Sequence, residues 1–279
     1  MSGASPEDPE DIELKLFLEG LYQRYGYDFR GYAEVSIRRR VKALMRQVMA
    51  PSISHLQGEV LGHPEMIETV LAALTVPTSE LFRDPSFYRA LREHVVPVLR
   101  TYPSLKIWHA GCSTGEEIYS LAILLAEEGL DERATIYATD INPAALATAQ
   151  EGIYPIDRLQ QATANYQAAG GKDAFSTYYT AAYGGVRLDP VLRRNVVFAT
   201  HNLATDDIFA ETQLILCRNV FIYFMRELQE RALDLFTRSL CYKGFLCLGT
   251  KETVRFLRAS SAFDELPDNQ RIFRKVVMS

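Results

Sequence analysis

Residues 105–128 read LKIWHAGCSTGEEIYSLAILLAEE, three local patterns in succession. The first six residues are mostly apolar and predict a strand ending at Ala110. GCSTG predicts a turn, and the apolar positions that follow predict a helix buried on one side, beginning near Glu116. Strand, glycine turn and helix in this order form the unit that holds nucleotide-like ligands in Rossmann sheets. Taken alone, the pattern also fits an ordinary strand-to-helix turn.

The alternation of strands and helices continues toward the C-terminus. ATIYATD (134–140) predicts a second strand, and Asn142 with Pro143 is a typical N-cap and first-turn pair for the helix that follows. Three further strands are predicted at NVVFATHN (195–202), QLILCRN (213–219) and GFLCLGT (244–250). ELQERALDLFTRSL (227–240) predicts a helix between the last two strands. Such alternation predicts a parallel sheet with helices on its faces, an α/β fold.

Between residues 152 and 194 this alternation stops. Tyr178, Tyr179 and Tyr183, with the pair Gly184 and Gly185, predict a helical connection followed by a small β-hairpin over Tyr178–Leu188. We interpret this segment as an insertion in the α/β domain.

The first hundred residues predict helices only. Apolar residues recur at spacings of three and four over Val35–Met49, and similar periodicity appears in Ile67–Leu74 and Phe87–Leu99. Residues 21–50 also carry seven basic and two acidic side chains. We therefore expect an amphipathic helix with its arginines opposite the apolar stripe, either as a solvated face or as a surface for an acidic partner.

Composition excludes several classes of protein. The 279 residues carry a formal net charge of −5, which argues against a protein that binds nucleic acid over its whole surface. No apolar run approaches the roughly 18 residues of a membrane span, and the acidic first ten residues are unlike a signal peptide. We therefore expect a soluble, cytoplasmic protein. The four cysteines form no CxxC pair, so we predict neither a metal site nor disulfides.

Polar residues or glycine follow four of the predicted strands. They are Gly111, Asp140, His201 with Asn202, and Arg218 with Asn219. Ligands of open parallel sheets bind beyond the carboxyl ends of the strands, so these residues predict a binding crevice. Asp140 is placed to accept both hydroxyls of a ribose.

Glu116 and Glu117 at the helix start distinguish two cofactor classes. Two carboxylates there would repel the pyrophosphate of a dinucleotide, whereas adenosine carrying a cationic sulfonium would be tolerated. This favours S-adenosylmethionine over a nicotinamide dinucleotide. Favourable placement on the helix dipole is an alternative explanation for one of these acids.

With these residues placed, the sequence resembles the chemotaxis receptor methyltransferase family, CheR. The motifs that carry the resemblance are LFRDP (81–85), IWHAGCSTGEEIYSLAILL (107–125), ATD (138–140), HNLATD (201–206) and CRNVFIYF (217–224). The resemblance implies a Rossmann-like S-adenosylmethionine-dependent methyltransferase domain with a small inserted β-subdomain, preceded by an all-α domain. The expected division is a helical N-terminal domain over 1–86, a linker helix over 87–104, and a methyltransferase domain over 105–279 with an insertion over about 152–194.

The resemblance also implies roles for single residues. Arg83 and Tyr223 would orient the acceptor carboxylate, and a basic surface would dock the receptor. The implied cofactor contacts are Ser79, Arg83, Gly111, Glu117, Asp140, Asn202, Leu203, Cys217 and Arg218, and the implied docking residues are Arg38, Arg39, Arg40 and Lys42. Pro77 departs from the family pattern, which has an asparagine there, so a contact at that position is not carried over.

The function implied is methyl transfer from S-adenosylmethionine to glutamates on the cytoplasmic helical domain of chemoreceptors, leaving S-adenosylhomocysteine. We expect a monomer, no nucleic-acid partner, no insertion into the membrane and, because the hairpin loop is short, no tether to a receptor peptide. Two alternatives stay open. One is a catalytically silent protein that docks on receptors, and the other is a dinucleotide-dependent oxidoreductase. Tyr223, inside the apolar run VFIYF, also fits a core aromatic residue.

Overall fold

The computed structural model describes residues 8–76 and 79–278. The N-terminal helices are α1 (Pro9–Tyr25), α2 (Glu34–Val48), α3 (Ile53–Gly62) and α4 (Ile67–Leu74). Side chains cap two of them, because Asp8 accepts from Glu10 N (3.0 Å) and Ser52 accepts from His55 N (3.1 Å). The four helices enclose one apolar cluster, which also includes Ile141 from the following domain. The two domains therefore share a packed contact.

Helix α2 differs from its prediction at one residue. Arg40 is only 8% exposed, whereas Arg39 is exposed. Arg40 lies three residues after Ile37 and four before Leu44, both buried, so the helical period places it within the apolar stripe. The expectation that all the arginines lie opposite the stripe is therefore wrong for Arg40.

A helical connection with a π-helical turn in its middle leads into the second domain. It consists of α5 (Pro85–Ala90), a π-helical turn (Leu91–Val95) and α6 (Val96–Leu99). The wide turn ends two residues before Pro97, which has no N–H to donate to the helix. Its buried residues pack into the core of the second domain, and the expected division after residue 86 falls inside α5.

The second domain contains the remaining helices and strands. They are β1 (Leu105–Ala110), α7 (Glu116–Glu127), β2 (Ala134–Asp140), α8 (Pro143–Glu151), β3 (Ile153–Pro155), α9 (Leu159–Ala168), β4 (Tyr179–Ala182), β5 (Gly185–Leu188), β6 (Val196–Thr200), β7 (Thr212–Cys217), α10 (Arg226–Ser239), β8 (Leu240–Leu248), β9 (Phe263–Glu265) and β10 (Ile272–Lys275).

Seven strands form the main sheet, in the order β6-β2-β1-β7-β8-β10-β9. The first five are parallel, while β10 runs antiparallel to both β8 and β9. Strand order reverses at β1, between β2 and β7, which is where an open α/β sheet has its ligand crevice. The predicted parallel sheet is confirmed, and the two C-terminal strands are additional.

Alternation along the strands divides the core into two layers. Ile107 of β1 packs in the cluster that contains α7, and the next residue, Trp108, packs in the cluster that contains α10. Successive side chains of a strand point to opposite faces, so helices cover both faces of the sheet. The result is a three-layer arrangement, and it confirms the predicted α/β fold class.

The segment between α8 and β6 forms a separate three-stranded antiparallel sheet in the order β3-β5-β4. Tyr183 and Gly184, both with positive φ, form the turn between β4 and β5. The predicted hairpin is confirmed, and β3 adds a strand that the sequence did not indicate.

Candidate active site

A crevice opens beyond the carboxyl ends of the parallel strands, at the point where strand order reverses. It encloses about 970 Å³, including its open mouth. Its lining combines segments of both domains. These are Tyr32, Thr75, Val76, Ser79, Arg83, Gly111, Cys112, Ser113, Glu117, Asp140, Ile141, Ala145, His201, Asn202, Leu203, Arg218, Asn219, Val220, Ile222, Tyr223 and Phe224.

The glycine turn after β1 forms one wall. Gly111 adopts a φ of +73°, and a Cβ there would lie 2.6 Å from Val220 Cγ2. The amides of Gly111 and Cys112 both donate to Thr139 O, at 2.8 and 2.9 Å, which ties the turn to β2. Only glycine therefore allows the turn to approach the loop after β7 so closely.

Asp140 ends β2 and presents its carboxylate to the crevice. One oxygen accepts from Ser113 N (2.8 Å) and the other from Asn142 N (2.9 Å). Burial raises the pKa of this carboxyl above its ordinary value, and the backbone amides of Asn142, Ser113 and Ile141 oppose that rise. A carboxylate has about four acceptor positions, so the Asp140 carboxylate keeps capacity to accept ribose hydroxyls beyond the amides of Ser113 and Asn142.

Arg218, directly after β7, is held by two carboxylates. It donates to Glu117 Oε1 (2.5 Å) and Asp84 Oδ2 (2.6 Å), and it lies over the ring of Phe87. Burial alone would lower the pKa of Arg218, but the adjacent Glu117, Tyr88 and Asp84 raise it above its ordinary value. Its charge is therefore fixed and already neutralised within the protein.

Arg83 is the other guanidinium in the crevice, and its side chain forms no ion pair with any residue that the structure describes. The residues on either side of it, Phe82 (φ +53°) and Asp84 (φ +56°), both adopt left-handed backbone conformations. Such conformations persist only where surrounding contacts impose them. Here Phe82 N donates to Ser120 Oγ (2.8 Å), and Asp84 binds Arg218.

Tyr223 connects the active site to the helical domain. Its carbonyl accepts from Ala33 N (2.7 Å), and the guanidinium of Arg40 lies 4.6 Å from the centre of its ring. Next to it, Met225 N donates to Gly31 O (2.8 Å). The Tyr223 ring therefore contacts the helical domain through Arg40 and also packs against the core layer that contains Trp108. The interpretation of Tyr223 as a core aromatic stays open beside its catalytic one.

Several buried polar atoms of the crevice lack a hydrogen-bond partner in the protein. They are Ser113 Oγ, His201 Nδ1, Asn202 Nδ2, Arg218 Nε and Asn219 Oδ1. Buried polar groups are normally paired, so donors and acceptors left open in one crevice indicate a polar ligand. Together with Asp140, they fit the ribose, the base edges and the amino acid end of an adenosyl cofactor.

Two of the predicted site residues lie elsewhere. The side chain of Cys217 is fully buried in the core layer with Trp108 and does not line the crevice. Glu116, which we expected beside Glu117, faces another cavity between the residue 79–81 segment and the inserted sheet. Of the two acids expected to repel a pyrophosphate, only Glu117 lines the crevice. Its charge is neutralised by Arg218, so the predicted repulsion is weaker than expected. Position 77 lies outside the described residues.

The predicted docking residues are divided by their contacts. Arg38 pairs with Glu10, Asp11 and Glu34, and Lys42 pairs with Glu10. Arg39 is exposed and forms no ion pair within the described part of the chain. Arg40 is buried and donates to Leu74 O. We therefore withdraw Arg40 from the docking surface.

The sequence prediction included Ser79 and Arg83 from the expected helical domain but missed Tyr32 and Thr75, which also line the crevice, and it missed Glu252. Glu252 is a buried carboxylate that accepts three backbone N–H groups next to the site. Tyr32 and Thr75 lie outside the strand ends on which the prediction was based. An acid that follows the last predicted strand, as in Thr250–Thr253, has no pattern that distinguishes it from a loop residue.

Comparison with known families agrees with this geometry. Residues 77–271 match the family model described as CheR methyltransferase, SAM binding domain, and residues 12–75 match CheR methyltransferase, all-alpha domain. The chain belongs to the CheR methyltransferase family. The predicted resemblance, the fold class and the cofactor are thereby confirmed, and a dinucleotide-dependent oxidoreductase is excluded.

Curated relatives extend over nearly the whole chain. The protein named methyltransferase Cher3 of Pseudomonas putida is 55% identical over 265 residues, covering 95% of this chain and 97% of its own. Chemotaxis protein methyltransferase 2 of Pseudomonas aeruginosa is 33% identical and covers 91% and 88%. A chemotaxis protein methyltransferase of Listeria monocytogenes is 28% identical and covers 82% and 85%.

The protein is thus a methyltransferase that uses S-adenosylmethionine. Asp140 would hold the ribose, and the open polar atoms of Ser113, Asn202 and Asn219 would bind the rest of the cofactor. Within the described residues no cluster of His, Cys, Asp or Glu could hold a metal ion, and no helix is long and apolar enough to cross a bilayer.

Proposed function

We propose that this CheR family member transfers the methyl group to glutamate side chains on the cytoplasmic helical domain of chemoreceptors, forming methyl esters for sensory adaptation. The relatives named as chemotaxis protein methyltransferases support the pathway. We propose a carboxylate as the methyl acceptor because the guanidinium of Arg83 forms no ion pair with any described residue. Of the two guanidinium groups that line the crevice, Arg218 is neutralised, so Arg83 is the one open to an anionic acceptor.

The chemistry places small demands on the protein. When bound, S-adenosylmethionine supplies an electrophilic methyl group on a cationic sulfur, and the C–S electron pair returns to sulfur in S-adenosylhomocysteine. A glutamate with a reference pKa of about 4.3 is ionised at neutral pH, so no general base is required. The protein must exclude water from the carboxylate and align one oxygen with the methyl group.

Arg83 and Tyr223 are the residues that we assign to this alignment. Both line the crevice, and their backbones are fixed by independent contacts, with Phe82 and Asp84 on one side and Ala33 on the other. One guanidinium and one phenol orient the two oxygens without binding them so tightly that the ground state is trapped. We call both catalytic residues.

The receptor would approach over helix α2. Arg39 is exposed and unpaired, while Arg38 and Lys42 can exchange their acidic partners in the same chain for those of a receptor. A basic helix beside the crevice would raise the rate of association with an acidic helical bundle. We propose that the protein does this as a cytoplasmic monomer, without a peptide tether at its hairpin.

Incubation with receptor-bearing membranes and methyl-labelled donor tests this function. The expected result is label on the receptor that is released by mild base as methanol, since an ester hydrolyses where an N-methyl or thioether group does not. Label that resists base, or no label on receptors, would contradict the proposed acceptor. A silent docking protein would bind the membranes without transferring label.

A further inference from the structure

The loop after β7 carries much of the active site but has little structure of its own. Arg218, Asn219, Val220, Ile222 and Tyr223 all line the crevice. Asn219 adopts a φ of +62°, and the only regular element is a single 3-10 turn over Phe221–Tyr223. Contacts from outside the loop must therefore fix the position of the Tyr223 side chain.

Glu252 supplies such contacts from beneath. It is 3% exposed, and its Oε2 accepts from Gly249 N (2.6 Å) and Asn219 N (2.9 Å). Its Oε1 accepts from Ile222 N (3.2 Å), the residue before Tyr223. One carboxylate thus joins the start of the active-site loop, its middle and the end of β8.

The surroundings leave no substitute for this carboxylate. A Cβ on Gly249 would lie 2.9 Å from Asn219 N and 2.8 Å from Glu252 Oε2, so only glycine lets the two loops approach. All three hydrogen bonds come from backbone donors, which can pair only with an acceptor. Removing the acceptor would leave buried N–H groups unsatisfied.

We propose that Glu252 is a positioning residue for methyl transfer, holding the loop that presents Tyr223 to the acceptor carboxylate. The proposal rests on the proposed function and deepens it. The residue touches neither cofactor nor acceptor. It acts by fixing backbone amides, so its loss displaces Tyr223 without removing any group from the crevice.

Cofactor binding should be affected much less than turnover. Arg218, at the start of the loop, is held separately by Glu117 and Asp84, and Asp140 lies on another strand. In Glu252→Gln the amide oxygen can still accept the hydrogen bonds from Asn219 N and Gly249 N. The NH₂ group of the glutamine would instead face the N–H of Ile222, and because both groups are donors no hydrogen bond can form there. The disturbance is therefore expected at Ile222 and Tyr223.

The first readout is amide hydrogen exchange of segment 218–225 in wild type, Glu252→Gln and Glu252→Asp, which requires no receptor. We expect faster exchange in Glu252→Gln and an intermediate rate in Glu252→Asp, which keeps the anion on a shorter side chain. Exchange at the wild-type rate in Glu252→Gln would overturn the proposal, whatever the acceptor of the methyl group is.

The second readout separates turnover from binding. For Glu252→Gln we expect turnover at saturating donor to fall about tenfold to a hundredfold, as for a small displacement of a reacting group, while affinity for S-adenosylhomocysteine changes by less than about threefold. Glu127→Gln is the matched control, because Glu127 is also a buried carboxylate that accepts a backbone N–H, from Lys172, but lies far along the chain on α7.

Equal turnover in Glu252→Gln and Glu127→Gln would show that any loss comes from general destabilisation and would overturn the positioning role. Equal losses of turnover and of cofactor affinity would also overturn it. If the wild type itself forms no base-labile ester on receptors, the proposed function fails, while the exchange result still reports on the loop.

Discussion

At the scale of single residues, the crevice separates two tasks between its charged groups. We propose that Asp140 offers acceptors to a neutral ribose, while Arg83, which forms no ion pair with any described residue, serves an anionic acceptor. Arg218 has the same charge as Arg83 but binds Glu117 and Asp84, and so serves the structure. Which arginine is available follows from its neighbours rather than from its residue type.

Replacing Asp140 by Asn should selectively weaken binding of the cofactor. The amide loses the charge that strengthens hydrogen bonds to ribose hydroxyls, and its NH₂ group must face a backbone N–H of Ser113 or Asn142. We expect affinity for S-adenosylhomocysteine to fall about tenfold to a hundredfold by calorimetry. The control is Asp264→Asn, an exposed position on β9. Unchanged affinity in Asp140→Asn would remove the ribose contact.

Tyr223→Phe removes one hydroxyl and keeps the ring that lies on Arg40. If the phenol orients the acceptor, turnover at saturating cofactor should fall about tenfold to a hundredfold with little change in thermal stability. Tyr183→Phe at the exposed hairpin turn is the control. A rate equal to that of the wild type would show that Tyr223 has no part in orienting the acceptor.

At the scale of elements, the turns and helix ends around the crevice limit substitution. Gly111→Ala combines a positive φ with a methyl group 2.6 Å from Val220 Cγ2, whereas Gly26→Ala has a positive φ and no atom within 4 Å. We expect Gly111→Ala to lower the free energy of unfolding by about 1 to 3 kcal/mol more than Gly26→Ala in urea titrations. Equal losses would mean that Val220 moves freely.

Glu116 at the start of α7 gives a pH-dependent prediction. Burial raises the pKa of its carboxyl above the reference value of 4.5, opposed by the hydroxyl of Thr114. The folded state then binds more protons than the unfolded state as pH falls from neutrality toward that reference, so the cost of the buried charge is lost on acidification.

Glu116→Gln removes that charge, so the variant should gain stability relative to the wild type at neutral pH. The gain should shrink as pH is lowered toward 4.5, because the wild-type carboxyl then takes up a proton in the folded state. Denaturant titrations at a series of pH values measure the difference. A gain that is constant with pH, or one that grows on acidification, would contradict the assigned direction of the pKa shift.

Sequence patterns predicted the elements with strong periodicity and missed those whose place depends on distant partners. The parallel strands and α7 are long apolar runs bounded by polar residues, so their prediction needs no tertiary information. Strand β10, Ile272–Lys275, mixes apolar and basic residues and is fixed by pairing with β8 and β9. The carboxylate of Glu252 accepts hydrogen bonds from the amides of Asn219 and Ile222, which lie 33 and 30 positions away, and no local pattern indicates such contacts.

At the scale of the whole molecule, the helical domain forms part of the active site. Tyr32 and Thr75 line the crevice, Ala33 binds the Tyr223 carbonyl, and Ile141 packs among the N-terminal helices. The same domain presents the basic face of α2. A receptor that binds α2 therefore contacts the domain that supports Tyr223, which connects docking to the placement of the acceptor.

Removing positive charge from α2 should slow association with the receptor and leave the affinity for the cofactor unchanged. We expect Arg39→Ala to slow association with receptor-bearing membranes by about twofold to tenfold at low salt, and less at high salt, where screening weakens surface charges. Arg38→Ala should have a smaller effect because three acids of the chain already neutralise Arg38. Arg187→Ala, exposed on β5, is the charge-matched control. Lost cofactor affinity in Arg39→Ala would contradict this division of roles.

A crystal structure with S-adenosylhomocysteine tests the central claim most directly, because it locates the ligand against every residue assigned to the crevice. We expect the ribose hydroxyls on the Asp140 carboxylate, polar contacts to Asn202 and Asn219, and the sulfur open toward Arg83 and Tyr223. Density for the ligand away from Asp140, or a sulfur closed off from Arg83 and Tyr223, would contradict the account.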